Sequence, residues 1–497
     1  MLHPLLYEIN TRCWLNELTS RNGRRVHLGC IPDAELDEWE RLGFSHIWLM
    51  GVWTTSAPSR DQALSSSELR KRYDRVLPDW EPEDVAGSPY AIREYNVPPE
   101  LGGNVGLADI RRRINERGMR LILDFVPNHV GLDHSWLTFW PELFVPGRPG
   151  SVESFKFATQ EGDRWIAHGK DPYFPSWVDT AQLDFRRGDT HRAMLDTLSL
   201  VADQCDGVRC DMAMLILFDV FRRTWKATPC TDEESNRDFW TDAIPAIKEK
   251  HPDFAFIAEA YWDLEKDLQR IGFDFTYDKW LYDHLVNEAP EAAHDHLTNA
   301  DRTFVGRSVH FLENHDEGRI ATKLSWEEHR AAAVLNLCLP GMRLIHEGQL
   351  TGARQHTPVQ LGRRPEETDD ATIVAHYEWL LKAIKATAIG HGDGIILTPF
   401  PAWSTNETHR QIVAIQWQLS PEEFDIVVVN LAGHDAQCVL QPEIAGIFRS
   451  HWKMDDLLSE ASYTKPGAEL MNKGLYLGLT SRAAHIFHFT QTSCRID

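Results

Sequence analysis

Short runs of apolar, β-branched and aromatic residues alternate with helical patterns from the N-terminus to about residue 350. The runs are Leu6–Ile9, His46–Trp53, Arg120–Val126, Gly207–Met212, Phe254–Ala260, Phe273–Tyr277, Ser308–Leu312 and Arg343–His346. Between them, apolar residues recur three or four positions apart. Leu36, Trp39 and Leu42 fall on one helical face, with Asp33 placed as the N-cap and Gly43 as the terminator. Leu107, Ile110 and Ile114 repeat the pattern before Gly118, and Met194, Leu198, Val201 and Cys205 repeat it after Asp189. Eight strands alternating with helices predict a parallel sheet covered by helices, and that number favours a closed (β/α)₈ barrel over an open sheet.

Two long connections interrupt the rhythm. One runs from Thr54 to Gly103 and is rich in Pro, Ser and charge; the other runs from Val130 to about Gln182 and is crowded with Trp, Phe, Pro and Gly. Connections of that length are expected to carry structure of their own. The second is read as a small inserted domain, residues 130–182, within a barrel formed by 1–129 and 183–398. From about Pro399 the pattern changes to alternating strands, Gln411–Leu419, Phe424–Asn430, Leu475–Leu479 and Ala484–Phe489, which predict an antiparallel β-sandwich over 399–497.

Charge narrows the choice of partner. Fifty-one Lys and Arg against 74 Asp and Glu give a net charge of −23, which argues against a nucleic-acid binder, because such a protein needs a cationic face. The partner is expected to be neutral or small. Eighteen Trp suit sugar rings, although core packing uses them equally well. The first residues, MLHPLLYEINTRCWLNE, lack the basic and apolar regions of a secretory signal, and no apolar run is long enough to cross a bilayer. The eight cysteines, at 13, 30, 205, 210, 230, 338, 438 and 494, include no C-x-x-C pair. They suggest free thiols in a reducing compartment, so a soluble cytoplasmic protein with no membrane partner is expected.

In such a barrel the reacting groups sit at the C-terminal ends of the strands. The third run ends in Asp124-Phe125-Val126-Pro127-Asn128-His129, the fourth in Arg209-Cys210-Asp211, the fifth in Glu259-Ala260-Tyr261 and the seventh in Glu313-Asn314-His315-Asp316. Converging carboxylates raise one another's pKa values and are costly unless chemistry uses them. Glycoside hydrolysis has that use, since one carboxyl must stay protonated to donate to the leaving oxygen while another stays ionised. Arg209, two residues before Asp211, points to the same face and holds Asp211 ionised. That makes Asp211 the better nucleophile and Glu259 the better acid.

These segments resemble the α-amylase superfamily of retaining glycoside hydrolases, glycoside hydrolase family 13. DFVPNH is similar to the family's first motif, GVRCDMA to the second, AEAY to the third and FLENHD to the fourth, in order and on the expected strands. The resemblance implies that Asp211 is the nucleophile, Glu259 the general acid/base and Asp316 the third carboxylate, which binds sugar hydroxyls. It implies that Arg209 orients the nucleophile, that His129 and His315 hydrogen-bond the sugar in the −1 subsite and that Tyr90 stacks under it. Asp124 and Asn128 are structural in this reading. The implied activity is hydrolysis of α-1,4 links in maltooligosaccharides or related α-glucans through a covalent glycosyl-enzyme. The same machinery can instead pass the glycosyl group to a sugar or to phosphate.

Several positions depart from the family pattern. Gln182 stands where calcium-binding members carry an Asp, and Met214-Leu215 replaces Lys-His, so the family's calcium is expected to be absent and no cofactor is assigned. Met214 also removes a polar contact on the leaving-group side. Gly87 stands where exo-acting glucosidases carry an Asp that caps the terminal glucose. The unusual, basic stretch Arg354 to Val359, followed by Arg363-Arg364, is either a solvated surface or a contact for an anionic donor or product.

Overall fold

The computed structural model, which describes residues 3–159, 162–228, 230 and 237–492, closes eight parallel strands into a barrel. They are β1 (Leu5–Asn10), β2 (His46–Met50), β3 (Arg120–Phe125), β4 (Gly207–Cys210), β5 (Ala255–Ala258), β6 (Phe275–Tyr277), β7 (Ser308–His310) and β8 (Met342–His346). Each pairs with its sequence neighbours, and β1 pairs with β8 to close the ring. All eight runs picked out by the hydrophobic pattern supply one strand each.

Side chains alternate across the wall of the barrel. Ile47, Leu49, Leu121, Leu123 and Val208 belong to the large apolar cluster shared with the surrounding helices. Leu6, Trp48, Ile122, Ile257 and Leu344 form a separate cluster, the barrel's own interior. Because the strand period is two, the interior series continues upward as Glu8, Asp124, Arg209 and then Asp211 and Glu259. The C-terminal mouth therefore receives polar groups on the same register that fills the floor with Leu, Ile and Trp. Gly207 keeps the floor closed: a Cβ there would lie 2.7 Å from the Ala255 carbonyl oxygen and 2.8 Å from the Ile122 methyl.

The helix Asp33–Leu42 buries Leu36 and Trp39 and ends at Gly43, whose φ of 90° is left-handed. Asp33 is its first helical residue, and Pro32 takes the cap position without a side-chain hydrogen bond. The carboxylate of Asp33 instead receives Arg113 from the neighbouring helix Gly103–Glu116 and Arg117 from that helix's C-cap.

Both long connections carry structure. In the first, Thr54–Thr55 pairs with Ile92–Glu94 around two short helices. The second leaves and returns through the antiparallel pair His129–Gly131 and Thr180–Gln182, and beyond this neck Ser154–Thr159 pairs with Gly162–Ala167. The C-terminal strands are β9 (Asp393–Leu397), β10 (Phe400–Pro401), β11 (Ile412–Ser420), β12 (Glu423–Asn430), β13 (Ala436–Leu440), β14 (His451–Asp456), β15 (Ser462–Pro466), β16 (Leu475–Leu479) and β17 (Ala484–Thr492). They form a six-stranded antiparallel sheet, β9-β11-β12-β17-β14-β15, and a three-stranded sheet, β10-β13-β16. Ile412, Phe424, Ile426 and Phe489 from the first sheet pack with Cys438, Leu440, Leu475 and Leu477 from the second. Trp417 donates through its indole N–H to the Cys338 carbonyl at 2.8 Å and so fastens this unit to the barrel. Cys13, Cys30, Cys205, Cys210, Cys338 and Cys438 form no disulfide, and Cys494 lies outside the described residues. Among the described residues, no helix is long and apolar enough to cross a membrane.

Candidate active site

Arg209 is the centre of the mouth. Its side chain is 1% exposed, and its guanidinium lies 5.3 Å from the ring centres of Trp48 and Tyr90 and 5.8 Å from that of Tyr277. One terminal nitrogen, Nη1, meets Asp211 Oδ1 at 2.7 Å, and the other, Nη2, meets Glu259 Oε2 at 2.7 Å. A single planar fork thus spans both carboxyl groups, a geometry that a lysine cannot supply. Glu259 Oε2 also accepts the Met212 main-chain N–H at 2.8 Å, and Met212 reaches that position with a left-handed φ of 41°. The other oxygen, Oε1, accepts the Tyr261 hydroxyl at 2.8 Å.

Burial pushes the Glu259 carboxyl up to about 7, the Arg209 charge opposing and the Asp211 charge adding. Burial also raises Asp211 above the ordinary aspartate value, against the charge of Arg209 and its hydrogen bond. Asp316 is held differently. Its side chain is 50% exposed at the mouth, with Oδ2 3.0 Å from His315 Nε2. The surrounding walls desolvate it and would raise its pKa, but the His315 charge and hydrogen bond hold it below the usual carboxylate range. The third acid therefore stays ionised while Glu259 is protonated over a wide range of pH.

His315 is charged because of what lies behind it. Burial would lower its pKa, yet Asp316 on one side and Glu8 on the other raise it well above the ordinary histidine value. Glu8, fully buried at the inner face of β1, binds His315 Nδ1 through Oε1. Tyr90 meets His315 Nε2 through its hydroxyl at 2.7 Å, and the two rings stack with centres 5.5 Å apart. Tyr90 thus lies between His315 and Arg209 on the floor of the mouth. His129 is buried, its ring 5.0 Å from that of Trp177; burial lowers it to about 4, so it is neutral at pH 7.

Asp124 accepts the Trp48 indole N–H at 3.0 Å and the Gly51 N–H at 2.7 Å, and its Cα lies opposite that of Arg209 in the β3–β4 register. It fixes the tops of β2 and β3 and adds negative charge beside the guanidinium. Asn128 sits in the neck of the inserted unit. Its Nδ2 donates to Gln182 Oε1 at 3.2 Å, and its Oδ1 accepts from Gln182 Nε2 at 2.9 Å. Gln182 Nε2 also reaches the Asn128 and Leu183 carbonyls. A cation at the family's calcium position would face an N–H₂ group aimed at those oxygens, and Met214 and Leu215 are buried apolar residues. This set does not fit a hard cation that needs several free oxygens. Among the described residues, no group of three or more His, Cys, Asp or Glu could hold a metal ion.

The structure thus brings Asp211, Glu259, Asp316, Arg209, His315 and Tyr90 together, and places Asp124, His129 and Asn128 around them. Three contributors escaped sequence reasoning: Glu8, the Tyr261 hydroxyl and the Met212 main chain. Within the basic stretch Arg354 and Gln355 are exposed, as a solvated surface would be, whereas the arginine pair that follows is not open to an anion. Arg363 is clamped by Asp79 and Asp84, and Arg364 by Glu17 and Glu347. Gly87 has a φ of 86°, and a Cβ there would lie 2.8 Å from the Arg60 N atom, so the backbone itself excludes the capping aspartate of exo-acting relatives.

A (β/α)₈ barrel with an arginine-bridged carboxyl pair and a third, ionised acid on its C-terminal rim defines a carboxylate-centred barrel enzyme. The alpha-amylase catalytic domain matches residues 33–378, and the chain belongs to that family. It is 26% identical over 283 residues to the alpha-amylase MalA of Haloarcula japonica, covering 54% of this chain and 38% of that one. It is 22% identical over 398 residues to alpha-amylase 3 of Dictyoglomus thermophilum, covering 76% and 70%. Among solved structures, the noncanonic maltogenic alpha-amylase AmyB from Thermotoga neapolitana superposes with a TM-score of 0.66 at 17% identity, over 99% of each chain.

Proposed function

We propose that the protein cleaves α-1,4-glucosidic bonds of maltooligosaccharides or related α-glucans with retention of configuration. The observation that carries this is Arg209 bridging Asp211 and Glu259, which sets one carboxyl as a nucleophile and its neighbour as an acid with a pKa near 7. In the first step an Asp211 oxygen bonds to C1 of the sugar, the C1–O glycosidic bond breaks, and the Glu259 proton passes to the departing oxygen. In the second, water gives a proton to the Glu259 carboxylate, its oxygen bonds to C1, and the ester to Asp211 breaks. Asp316, His129 and His315 bind the sugar hydroxyls, Tyr90 stacks against the ring, and Asp124 and Asn128 hold the strand ends and the neck.

Transfer to a sugar acceptor is the second reading. It is favoured by Tyr173, 67% exposed on the inserted unit, whose ring lies edge-on to Trp262, three residues after the acid. Aromatic faces on the leaving-group side would seat a sugar as readily as they exclude water. The amide pairing of Asn128 with Gln182 supports an enzyme that works without the family's calcium, and the buried free thiols of Cys13, Cys205, Cys210, Cys338 and Cys438 suit a cytoplasmic setting. The test is a product time course from maltopentaose and from maltose, with and without phosphate, with anomeric configuration followed by proton NMR. Shorter sugars released as α-anomers support retaining hydrolysis. Longer oligomers, a rearranged disaccharide or a sugar phosphate identify transfer, and release of β-anomers overturns the double displacement.

A further inference from the structure

We infer that Tyr261 is a positioning residue for proton transfer: its hydroxyl fixes which oxygen of Glu259, and which lone pair of it, carries the proton to the leaving group. This rests on Glu259 being the general acid. Glu259 Oε2 accepts the Met212 N–H at 2.8 Å and lies in ion-pair contact with Arg209 Nη2 at 2.7 Å. An oxygen that already takes one N–H donor and faces a guanidinium at ion-pair distance is the less favourable place for a proton, because the added hydrogen would meet the positive charge. The transferable proton therefore resides on Oε1. There the Tyr261 hydroxyl, 2.8 Å away, occupies one lone pair and leaves the other for the glycosidic oxygen.

The surroundings hold Tyr261 to this task. Its ring packs against the main apolar core, and burial, with the Glu259 and Asp316 charges adding, raises its own pKa well above the ordinary value, so it remains a neutral donor. The chain turns away immediately afterwards through Trp262 and Asp263, with φ of 67° and 62°. Two consecutive non-glycine residues in the left-handed region persist only where their surroundings dictate the conformation, and such strain gathers at functional sites. Here the Trp280 indole N–H donates to Asp263 Oδ1 at 3.0 Å, and Tyr173 packs edge-on to Trp262 with ring centres 5.0 Å apart. The hydroxyl is thus aimed by a turn that is pinned from two other segments.

A hydroxyl that donates to a carboxylate favours the charged form. Tyr261→Phe removes it, so the Glu259 pKa rises and the alkaline limb of kcat/KM moves up by about one pH unit. The freed Oε1 also loses its orientation, which costs part of the roughly 10²–10⁴-fold that a positioned acid supplies. The experiment compares maltopentaose, whose sugar leaving group needs the proton, with 4-nitrophenyl α-maltoside, whose nitrophenolate leaves without it. The expected result for Tyr261→Phe is a loss of about tenfold or more on maltopentaose, little change on the aryl glycoside, and an alkaline limb displaced upward. Equal losses on both substrates with an unmoved limb, or wild-type behaviour on both, would overturn the inference. Glu259→Gln is the control. If that variant keeps the maltopentaose rate, the acid assignment itself fails; if it loses that rate while Tyr261→Phe behaves as wild type, only the role of Tyr261 fails.

Discussion

Replacing Arg209 by lysine separates the geometry of the bridge from its charge. The wild-type guanidinium makes two contacts of 2.7 Å, one from each terminal nitrogen, to Asp211 Oδ1 and Glu259 Oε2. A lysine keeps one positive charge but presents it as a point, so it cannot satisfy both carboxyls in parallel. At least one charge-assisted hydrogen bond is lost, worth about 1.5–3 kcal/mol, or roughly one to two pKa units at 1.36 kcal/mol per unit. Arg209 lowers the pKa of both acids, opposing the burial that raises them. Weakening it therefore lifts both. The acidic limb of kcat/KM, where Asp211 must ionise, moves to higher pH; the alkaline limb, set by the loss of the Glu259 proton near 7, moves up as well. The optimum shifts upward as a whole, and kcat/KM at pH 6 falls by about 10- to 100-fold. The assay is the initial rate on maltopentaose from pH 4 to pH 9, with circular dichroism to establish that the variant is folded. A folded lysine variant whose two limbs stay in place would refute the bridge as the element that tunes both acids.

Glu8→Gln removes the carboxylate behind His315, so the imidazolium pKa falls and Asp316 loses its cationic partner; kcat/KM drops by about 10-fold or more, and the ratio to wild type recovers as pH is lowered and His315 recharges. A pH-independent ratio would reduce Glu8 to packing. Exhaustive dialysis against EDTA leaves the melting temperature and kcat of the wild type unchanged, because the Asn128 and Gln182 amides bond to each other; a lowered melting temperature restored by calcium would place a cation at the neck.

The barrel was legible because its signal is redundant. Strands such as Leu-Ile-Leu in β3 and Ile-Trp-Leu-Met in β2 are buried on both faces, so each appears as an unbroken apolar run, and eight such runs leave few alternative topologies. Helix ends were less legible. Asp33 has the chemistry of an N-cap, but tertiary partners decided its place: Arg113 and Arg117 hold its carboxylate, and Pro32 sets the turn before it. The same competition decided the Arg363-Arg364 pair. Two adjacent arginines suggest an exposed cationic patch until folding brings Asp79 and Asp84 to the first, and brings Glu17, far earlier in the chain, together with the nearby Glu347 to the second.

Within the site, side chains on the inward register of a strand could be inferred, and those whose role depends on a turn could not. Arg209, Asp211 and Glu259 stand at even spacing on their strands and point into the mouth by the period of two alone. Glu8 obeys the same rule, yet it lies inside the run Leu6–Ile9, where the apolar neighbours conceal it. The interior position of Leu6 carries Glu8 inward on the same register, and His315, beyond the end of β7, gives it a charge to meet. Tyr261 and the Met212 N–H belong to the other kind. Both act on Glu259 because the chain takes left-handed turns at Met212 and at Trp262-Asp263, in residues that carry no glycine or asparagine to announce them. What fixes the proton on the acid is therefore backbone geometry imposed by packing, which a pattern of residue types does not contain.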